Sequence, residues 1–368
     1  MKSIKKSERL LLFFLMLSGL FCLSFYATSC TGIIAKDNVT EAYELRINGQ
    51  ADSAVILLSQ IIVNDPENAK AYYELARAKQ HMMLGGGRYE IGEIIENASK
   101  ACELDPENVS YAYFEAHVKF LDVYIDIMRG KEEIKEKLNV SYASFRKVLE
   151  IDDCNSSVLV TMTEINSMLP AEMGGSRDEA IVYADKLGDC DPVIALKAYA
   201  FLLPEDGSLV SYWQDAYESY DADAVISEEL GRAYLLEGDM DNGKKYLEKA
   251  ISMNSDKTLL YLDLGRALTM KAMETQNKML GEEAIEAFQK YLDLNTDAPG
   301  PLKAYAYRMM GLTSKRIIGN DDLADDYMKK QEEMDPFCSR AFGSPALGLF
   351  TPPDDLPPMS VGYYSRPF

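Results

Sequence analysis

Residues 226–256 read ISEELGRAYLLEGDMDNGKKYLEKAISMNSD, and a closely similar pattern returns in residues 259–295. Each copy carries apolar residues at helical spacing in two segments, which a short turn separates. One such helix pair cannot bury its apolar face alone, so copies must stack on their neighbours to complete a core. The pattern therefore predicts an all-α chain of stacked helix pairs, a solenoid that presents an extended binding surface.

Each helix of the pair carries its own characteristic residues. The first helix carries Leu230, Gly231 and Tyr234, and the second carries Leu247 and Ala250. Small residues let two helices approach closely, while Tyr and Leu fill the gaps between them. The unit resembles the tetratricopeptide (TPR) repeat, whose period is about 34 residues. This resemblance implies a TPR-like α-solenoid, a right-handed superhelix of antiparallel helix pairs.

Segments of similar composition lie at the ends of the earlier units, namely IIVNDPENA at residues 61–69, ACELDPENV at 101–109 and VLEIDDCNS at 148–156. Proline just beyond a second helix stops that helix and starts the next turn. Some units exceed the family's length because turns such as MLGGGRYEIG, residues 83–92, are inserted. We expect about eight units in residues 38–336. They lie at 38–68, 69–108, 109–155, 156–192, a degenerate unit at 193–222, then 223–257, 258–297 and 298–336.

Residues 1–29 have the pattern of a signal peptide. Four basic side chains precede the apolar run LLLFFLMLSGLFCLSF, and Ala27-Thr28-Ser29 precedes Cys30. Small residues before a cysteine resemble a bacterial lipobox, which implies cleavage before Cys30 and a lipid on its sulfur. We therefore expect an exported lipoprotein of the bacterial cell envelope, with residues 30–37 as a linker. Plain secretion is the first alternative, and an uncleaved anchor is the second.

The charge balance excludes one class of partner. The 368 residues carry 38 Lys plus Arg against 59 Asp plus Glu, a formal net charge of −21. So acidic a surface repels nucleic acid and anionic lipid headgroups. We expect no nucleic-acid binding, and membrane contact only through the N-terminal lipid.

Motifs of catalysis are absent from the sequence. It has two histidines and no His-Glu-x-x-His, Cys-x-x-Cys or Gly-x-Ser-x-Gly pattern. The glycines at 85–87 lack the Lys-Ser/Thr of a phosphate-binding loop, and the spacing of the acidic pairs does not match a calcium loop. We therefore predict no enzyme activity, no metal site and no cofactor.

Four cysteines remain beyond the leader and Cys30. Because buried cysteine commonly behaves as a small hydrophobe, the sequence favours four free thiols. Cys154 and Cys190 both lie near the ends of successive second helices. A disulfide between them in an oxidising compartment is the alternative.

The TPR resemblance implies where a partner binds, because the first helix of each TPR unit lines a concave groove and its ninth position points into it. In this chain the ninth positions are Arg77, His117, Arg232 and Arg266. Such a basic ladder would attract a carboxylate or an acidic peptide, since Arg offers bidentate contacts. The alternative, which the sequence favours, is that these side chains form surface salt bridges with nearby acids such as Glu228, Glu229 and Asp263.

Aromatic residues provide a second set of groove candidates. They crowd the front of two successive first helices, and Tyr suits ligand contact because one end is apolar and the other is polar. We select Tyr73, Tyr113 and Phe114 as groove residues.

The repeat pattern stops after Pro336, and residues 337–368 form a proline-rich tail. Proline pairs at 352–353 and 357–358 favour an extended polyproline conformation. Apolar and aromatic residues accompany them, so the segment either packs over the last helices as a cap or binds a partner. The sequence favours the cap.

These features predict a non-enzymatic scaffold or adaptor of the cell envelope, which holds an acidic or C-terminal protein segment in its groove. The alternative is a ligand-binding accessory of a periplasmic transporter, with the inserted turns around a cavity. Residues 169–187, LPAEMGGSRDEAIVYADKL, resemble the TPR component associated with TRAP-type transporters. That family forms oligomers and partners a substrate-binding protein; for this chain the oligomeric state stays open.

Overall fold

The computed structural model describes residues 38–338, apart from residues 88, 132, 205 and 221–222. Within these residues it contains sixteen α-helices and no strand. They are α1 (Asn38–Ile47), α2 (Ala51–Asn64), α3 (Ala69–Leu84), α4 (Ile91–Leu104), α5 (Val109–Met128), α6 (Lys135–Ile151), α7 (Ser156–Met168), α8 (Arg177–Cys190), α9 (Pro192–Ala200), α10 (Leu209–Ser219), α11 (Ala224–Leu236), α12 (Met240–Met253), α13 (Leu260–Thr275), α14 (Lys278–Leu294), α15 (Gly300–Thr313) and α16 (Asp321–Met334). The predicted signal peptide, lipid site Cys30, linker and tail beyond residue 338 lie outside the described residues.

The helices form eight consecutive pairs. In each pair an odd-numbered helix packs against the helix that follows it, and this packing is extensive in every pair except α9–α10. The second helix of one pair also contacts the first helix of the next pair. The α9–α10 pair is the degenerate unit, because α9 ends at Ala200, ahead of Pro204 and Gly207 in its connecting turn. The architecture confirms the predicted all-α solenoid of about eight units.

The repeated Asp-x-x-Asn motif supplies the N-cap of the first helix of the next pair. The Asn68 side chain accepts a hydrogen bond from the backbone N–H of Ala71 and donates one to the Asp65 carboxylate at 3.0 Å. This satisfies an N–H at the start of the helix that has no partner within the helix, an N-cap worth about 1 kcal/mol. The same arrangement recurs at Asn108 with Asp105 and at Asn155 with Asp152.

Glycine lets the two helices of a pair approach closely at two equivalent places. A Cβ atom at Gly231 would lie 2.8 Å from the Leu247 side chain, and one at Gly265 would lie 2.8 Å from the Phe288 ring. Both neighbours are buried, so neither has room to move away from a larger residue. These contacts confirm the predicted role of small residues in the pattern.

The cysteines do not follow the favoured prediction. Cys154 and Cys190 form a disulfide with Cα atoms 5.7 Å apart, whereas Cys102 and Cys338 are buried free thiols. The bond joins the end of α6 to the end of α8, across the intervening α7. Closing a loop of 36 residues is worth about 4 kcal/mol by the loop-entropy estimate. The prediction of four free thiols was therefore wrong, and the disulfide that the sequence left as the alternative is present.

The first helices form the concave side of the solenoid. First helices of neighbouring pairs contact each other directly, as α1 does α3 and as α7, α9, α11, α13 and α15 do in succession. Elements on the inside of a curve lie closer together than those on its outside. We call the surface of the odd-numbered helices the inner wall.

The last pair contacts the first two pairs, so the solenoid closes on itself. Gly49 follows α1 with φ +81° and packs against the Met334 carbonyl, where any Cβ would collide with it. His81 Nε2 lies 2.9 Å from Asp335 Oδ2, and Gly85 at the end of α3 packs against the Phe337 backbone. We call these six residues the clasp, which holds together parts of the chain 254 residues apart.

Candidate partner-binding surface on the inner wall

A cavity of about 400 Å³ opens on the inner wall between the first three odd-numbered helices. Its walls come from α1, α3 and the start of α5. The lining residues are Thr40, Tyr43, Lys70, Tyr73, Glu74, Arg77, Asn108, Ser110 and Tyr111. The cavity combines aromatic rings, cationic groups and short polar side chains, which is the composition of a surface that binds a peptide or a polar ligand.

The aromatic part of the cavity is built around Tyr73. Its ring centroid lies 4.7 Å from that of Tyr111, and the guanidinium carbon of Arg77 lies 5.0 Å from the Tyr73 centroid. Phe114 supports Tyr73 from the core side, with its ring edge-on at 5.5 Å. Packing on both sides holds the Tyr73 ring in one orientation, so this part of the cavity is preorganised.

The electrostatic part of the cavity is centred on Glu74. The Arg46 side chain donates two hydrogen bonds to Glu74 Oε2, at 3.1 and 3.0 Å, and Arg77 Nη1 donates one to Oε1 at 3.3 Å. Lys70 Nζ lies 3.4 Å from Thr40 Oγ1 at the rim. Two arginines therefore bind one carboxylate, and Lys70 lies at the rim of the same cavity, so cations gather at this point of a strongly acidic chain.

A second buried charge cluster crosses α9, α11 and α13. Arg232 Nη2 lies 2.9 Å from Asp263 Oδ2, and its Nη1 lies 2.8 Å from Glu229 and 2.5 Å from Glu228. Lys197 reaches Glu229 from α9 at 2.8 Å. Burial opposes the charge of Arg232, but the surrounding carboxylates outweigh that effect and raise its pKa well above the ordinary value. This network ties three first helices together along the inner wall.

The arginines of the predicted basic ladder thus form neither an open groove ladder nor surface salt bridges, the two interpretations that the sequence allowed. Arg77 lies in the cavity wall, but Arg77 and Arg232 are both buried and both form ion pairs with carboxylates of the chain. Because these pairs are buried, they are not the surface salt bridges that the sequence favoured. Arg266 is also buried, one turn after Asp263 on α13. Contact between these arginines and a partner stays a prediction.

The other predicted groove residues separate into two groups. Tyr73 lines the cavity. Phe114 is fully buried and packs with Ile94 and Ala98 of α4, so its assignment to the groove is corrected to the core. His117 is buried with its ring 4.2 Å from that of Tyr113 and 5.3 Å from that of Phe145.

Counting ninth positions on every first helix would have found residues that the sequence interpretation missed, among them Arg46 and Glu164. Arg46 is ninth on α1 and binds Glu74. Glu164 is ninth on α7, and burial raises the pKa of its carboxyl to about 8. No hydrogen bond reaches its Oε2 from the described residues. Tyr43 and Tyr111 carry no such positional signal, and only the structure places them in the cavity.

The described part of the chain offers neither a membrane-spanning helix nor a metal site. None of its helices has the length and apolar character needed to span a bilayer. In the same residues, no three His, Cys, Asp or Glu side chains are grouped so that they could hold a metal ion.

Comparison with known proteins agrees with the helix pairs. Residues 228–257, within α11 and α12, match the family model described as Tetratricopeptide repeat. No curated protein matches the chain significantly. The solved structure titled "Crystal structure of MamA protein" is similar at 18% identity and a TM-score of 0.26, covering 60% of this chain and 91% of that one.

A second similar structure is titled "Crystal structure of APC/C hetero-tetramer Cut9-Hcn1". It is 14% identical with a TM-score of 0.35, and the match covers 86% of this chain and 56% of that chain. Neither TM-score is high enough to bear on how the pairs are arranged here. The eight helix pairs and the matched repeat nevertheless show the fold, which is a TPR-type α-solenoid.

Proposed function

We propose that this protein is a non-enzymatic scaffold that holds an acidic segment of another protein against its inner wall. The observation that carries the proposal is the cavity between α1, α3 and α5, where tyrosines and cations converge on first helices. TPR-type solenoids are protein-interaction folds, and their curved surface accommodates an extended segment.

The charge of the cavity supports an acidic ligand. Arg46 and Arg77 bind the carboxylate of Glu74, and Lys70 lines the same cavity. An aspartate or glutamate of the partner, or its C-terminal carboxylate, would bind beside these cations through charge-assisted hydrogen bonds. Tyrosine rings beside these cations would cover the apolar part of the same segment.

We place this function in the bacterial cell envelope. The signal-peptide pattern and the lipobox cysteine support export. The Cys154–Cys190 disulfide supports the same placement, because disulfides persist in oxidising compartments such as the periplasm and the cell surface. The transporter-accessory alternative receives less support, since the cavity is lined by first helices and by none of the described residues of the inserted turns at 83–92 and 169–180.

Peptide binding by the full chain tests the proposal. Fluorescent ten-residue peptides rich in Asp, Glu and Tyr are titrated against the wild type and against Lys70→Glu, and binding is measured by anisotropy. Lys70 is exposed at the cavity rim, so its reversal changes the charge of the site with little effect on folding. We expect a loss of about tenfold in affinity, or about 1.4 kcal/mol.

The matched control is Lys329→Glu, which makes the same charge change at an exposed position on the second helix α16. It should leave the affinity unchanged. Equal loss in both variants would show a nonspecific charge effect and would refute the assignment to the cavity. Absence of binding by any acidic peptide would refute the proposed ligand.

A further inference from the structure

The described chain ends on the inner side of the solenoid. Cys338 is buried and belongs to the apolar cluster that residues of α12, α13, α14 and α15 form. Arg308, the ninth residue of α15, donates a hydrogen bond through Nη1 to the Cys338 carbonyl at 3.4 Å. The preceding residues, Asp335 and Phe337, contact the end of α3 in the clasp. The last described residue, Cys338, therefore lies at the inner wall, near the end of the helix that carries the cavity.

Distance permits this segment to reach the cavity. Lys70, Tyr73 and Arg77 lie between 8 and 15 residues before Gly85 on the same helix. At 1.5 Å per residue this is about 12 to 22 Å along α3. Residues 339–368 could span about 100 Å if fully extended, so their reach exceeds the need several-fold.

The chemistry of the segment complements that of the cavity. Its proline pairs favour the extended polyproline conformation, which docks on grooves lined by aromatic residues. The segment's two acids, the adjacent Asp354 and Asp355, lie at its centre, whereas its two arginines lie near its ends. The acids complement the cations of the cavity, and Tyr363 and Tyr364 suit its tyrosines. The acidic centre, the aromatic character and the length thus agree on one occupant.

We propose that residues 339–368 bind across the cavity of their own chain, and that the partner must displace them. The inference rests on the proposed function, because it identifies an internal competitor for the same site. A tethered ligand acts at an effective concentration on the order of 1 mM. If its intrinsic dissociation constant is about 100 µM, it lowers the partner's apparent affinity by about tenfold.

Photocrosslinking in the full chain tests occupancy without any partner. A benzoylphenylalanine replaces Tyr43 in the cavity, and the control carries it at Val63, which is 80% exposed on the second helix α2. We expect a crosslinked product of monomer size from position 43 only, whose fragments map to residues 339–368. Crosslinks from position 43 that all map elsewhere would overturn the inference. So would equal yield from Val63, or a dimer-sized product that shows the segment of a second copy.

A second full-length variant tests competition. Replacing Asp354 and Asp355 by Lys, together with Tyr363→Ala and Tyr364→Ala, should reduce the crosslink yield and raise the affinity for the acidic peptides by about tenfold. Unchanged affinity at a reduced crosslink yield would overturn the competitor role. If neither protein binds an acidic peptide, the proposed function fails, and the crosslink still decides whether the segment occupies the cavity.

Discussion

Removal of Arg232 tests whether the buried charge cluster holds the centre of the solenoid together. Arg232 is 6% exposed and donates hydrogen bonds to Asp263 Oδ2 at 3.2 and 2.9 Å and to Glu229 at 2.8 Å. Substitution by Met keeps most of the side-chain volume but removes the charge and these donors. Breaking a buried pair from one side costs about 3 kcal/mol or more, because the remaining carboxylates stay buried.

Native-state hydrogen exchange is the suitable assay, since repeat arrays open locally and do not always unfold in two states. We expect amides of α11 and α13 to exchange about 100-fold faster in Arg232→Met, which corresponds to about 3 kcal/mol. The matched control is Lys244→Met, whose ammonium lies 3.9 Å from Glu283 with both side chains about two-fifths exposed. Its cost should be below about 1 kcal/mol.

A double variant separates the lost attraction from the remaining buried charge. In Arg232→Met the Asp263 carboxylate loses its two hydrogen-bond donors. The double variant Arg232→Met with Asp263→Leu also removes this carboxylate, so it should lose less stability than Arg232→Met alone. An Arg232→Met effect no larger than that of Lys244→Met would refute the reasoning. A double variant as unstable as the sum of its single variants would also refute it.

Three further predictions concern stability. Cys154→Ser with Cys190→Ser should lower the free energy of unfolding of α6–α8 by about 4 kcal/mol in a denaturant titration, and a reducing agent should then have no further effect on that segment. Gly49→Val should open the clasp and increase the radius of gyration in X-ray scattering, whereas Gly86→Val should not, because Gly86 has φ +87° and an added Cβ would have no described atom within 4 Å. Burial raises the pKa of Glu164 above its unfolded value of 4.5 to about 8. Below pH 4.5 the carboxyl is protonated in both states and has no cost, whereas between pH 4.5 and about 8 the folded chain loses stability as pH rises, because only the unfolded chain ionises freely. Glu164→Gln should therefore stabilise the chain by about 3 kcal/mol at pH 7 and by little at pH 4, measured by thermal melting at each pH; an equal effect at both values would contradict the assignment.

The sequence predicted the helix pairs and their number well because their signals are local. Apolar residues at helical spacing, Gly231 opposite Leu247 and the Asn caps after Asp all act within one pair or at one junction. The site was predicted less completely. Ninth-position counting found Arg77, but Tyr43 joins it only because α1 packs against α3.

The burial of the predicted ladder could not be inferred from position alone. The ninth position predicts the face of a helix, whereas the partner of its side chain comes from the next pair, as Asp263 does for Arg232. Phe114 illustrates the converse error, since a residue beside groove positions on α5 packs into the core instead.

The amino-acid pattern by itself determined the α-solenoid and its helix pairs, because helix periodicity and capping depend on residues a few positions apart. The tertiary structure alone decided the Cys154–Cys190 disulfide, the cavity and the clasp between His81 and Asp335. The disulfide and the cavity depend on how side chains of neighbouring pairs meet when the pairs stack. The clasp depends on curvature, which accumulates as small rotations over eight stacked pairs and so brings together residues that no local pattern relates.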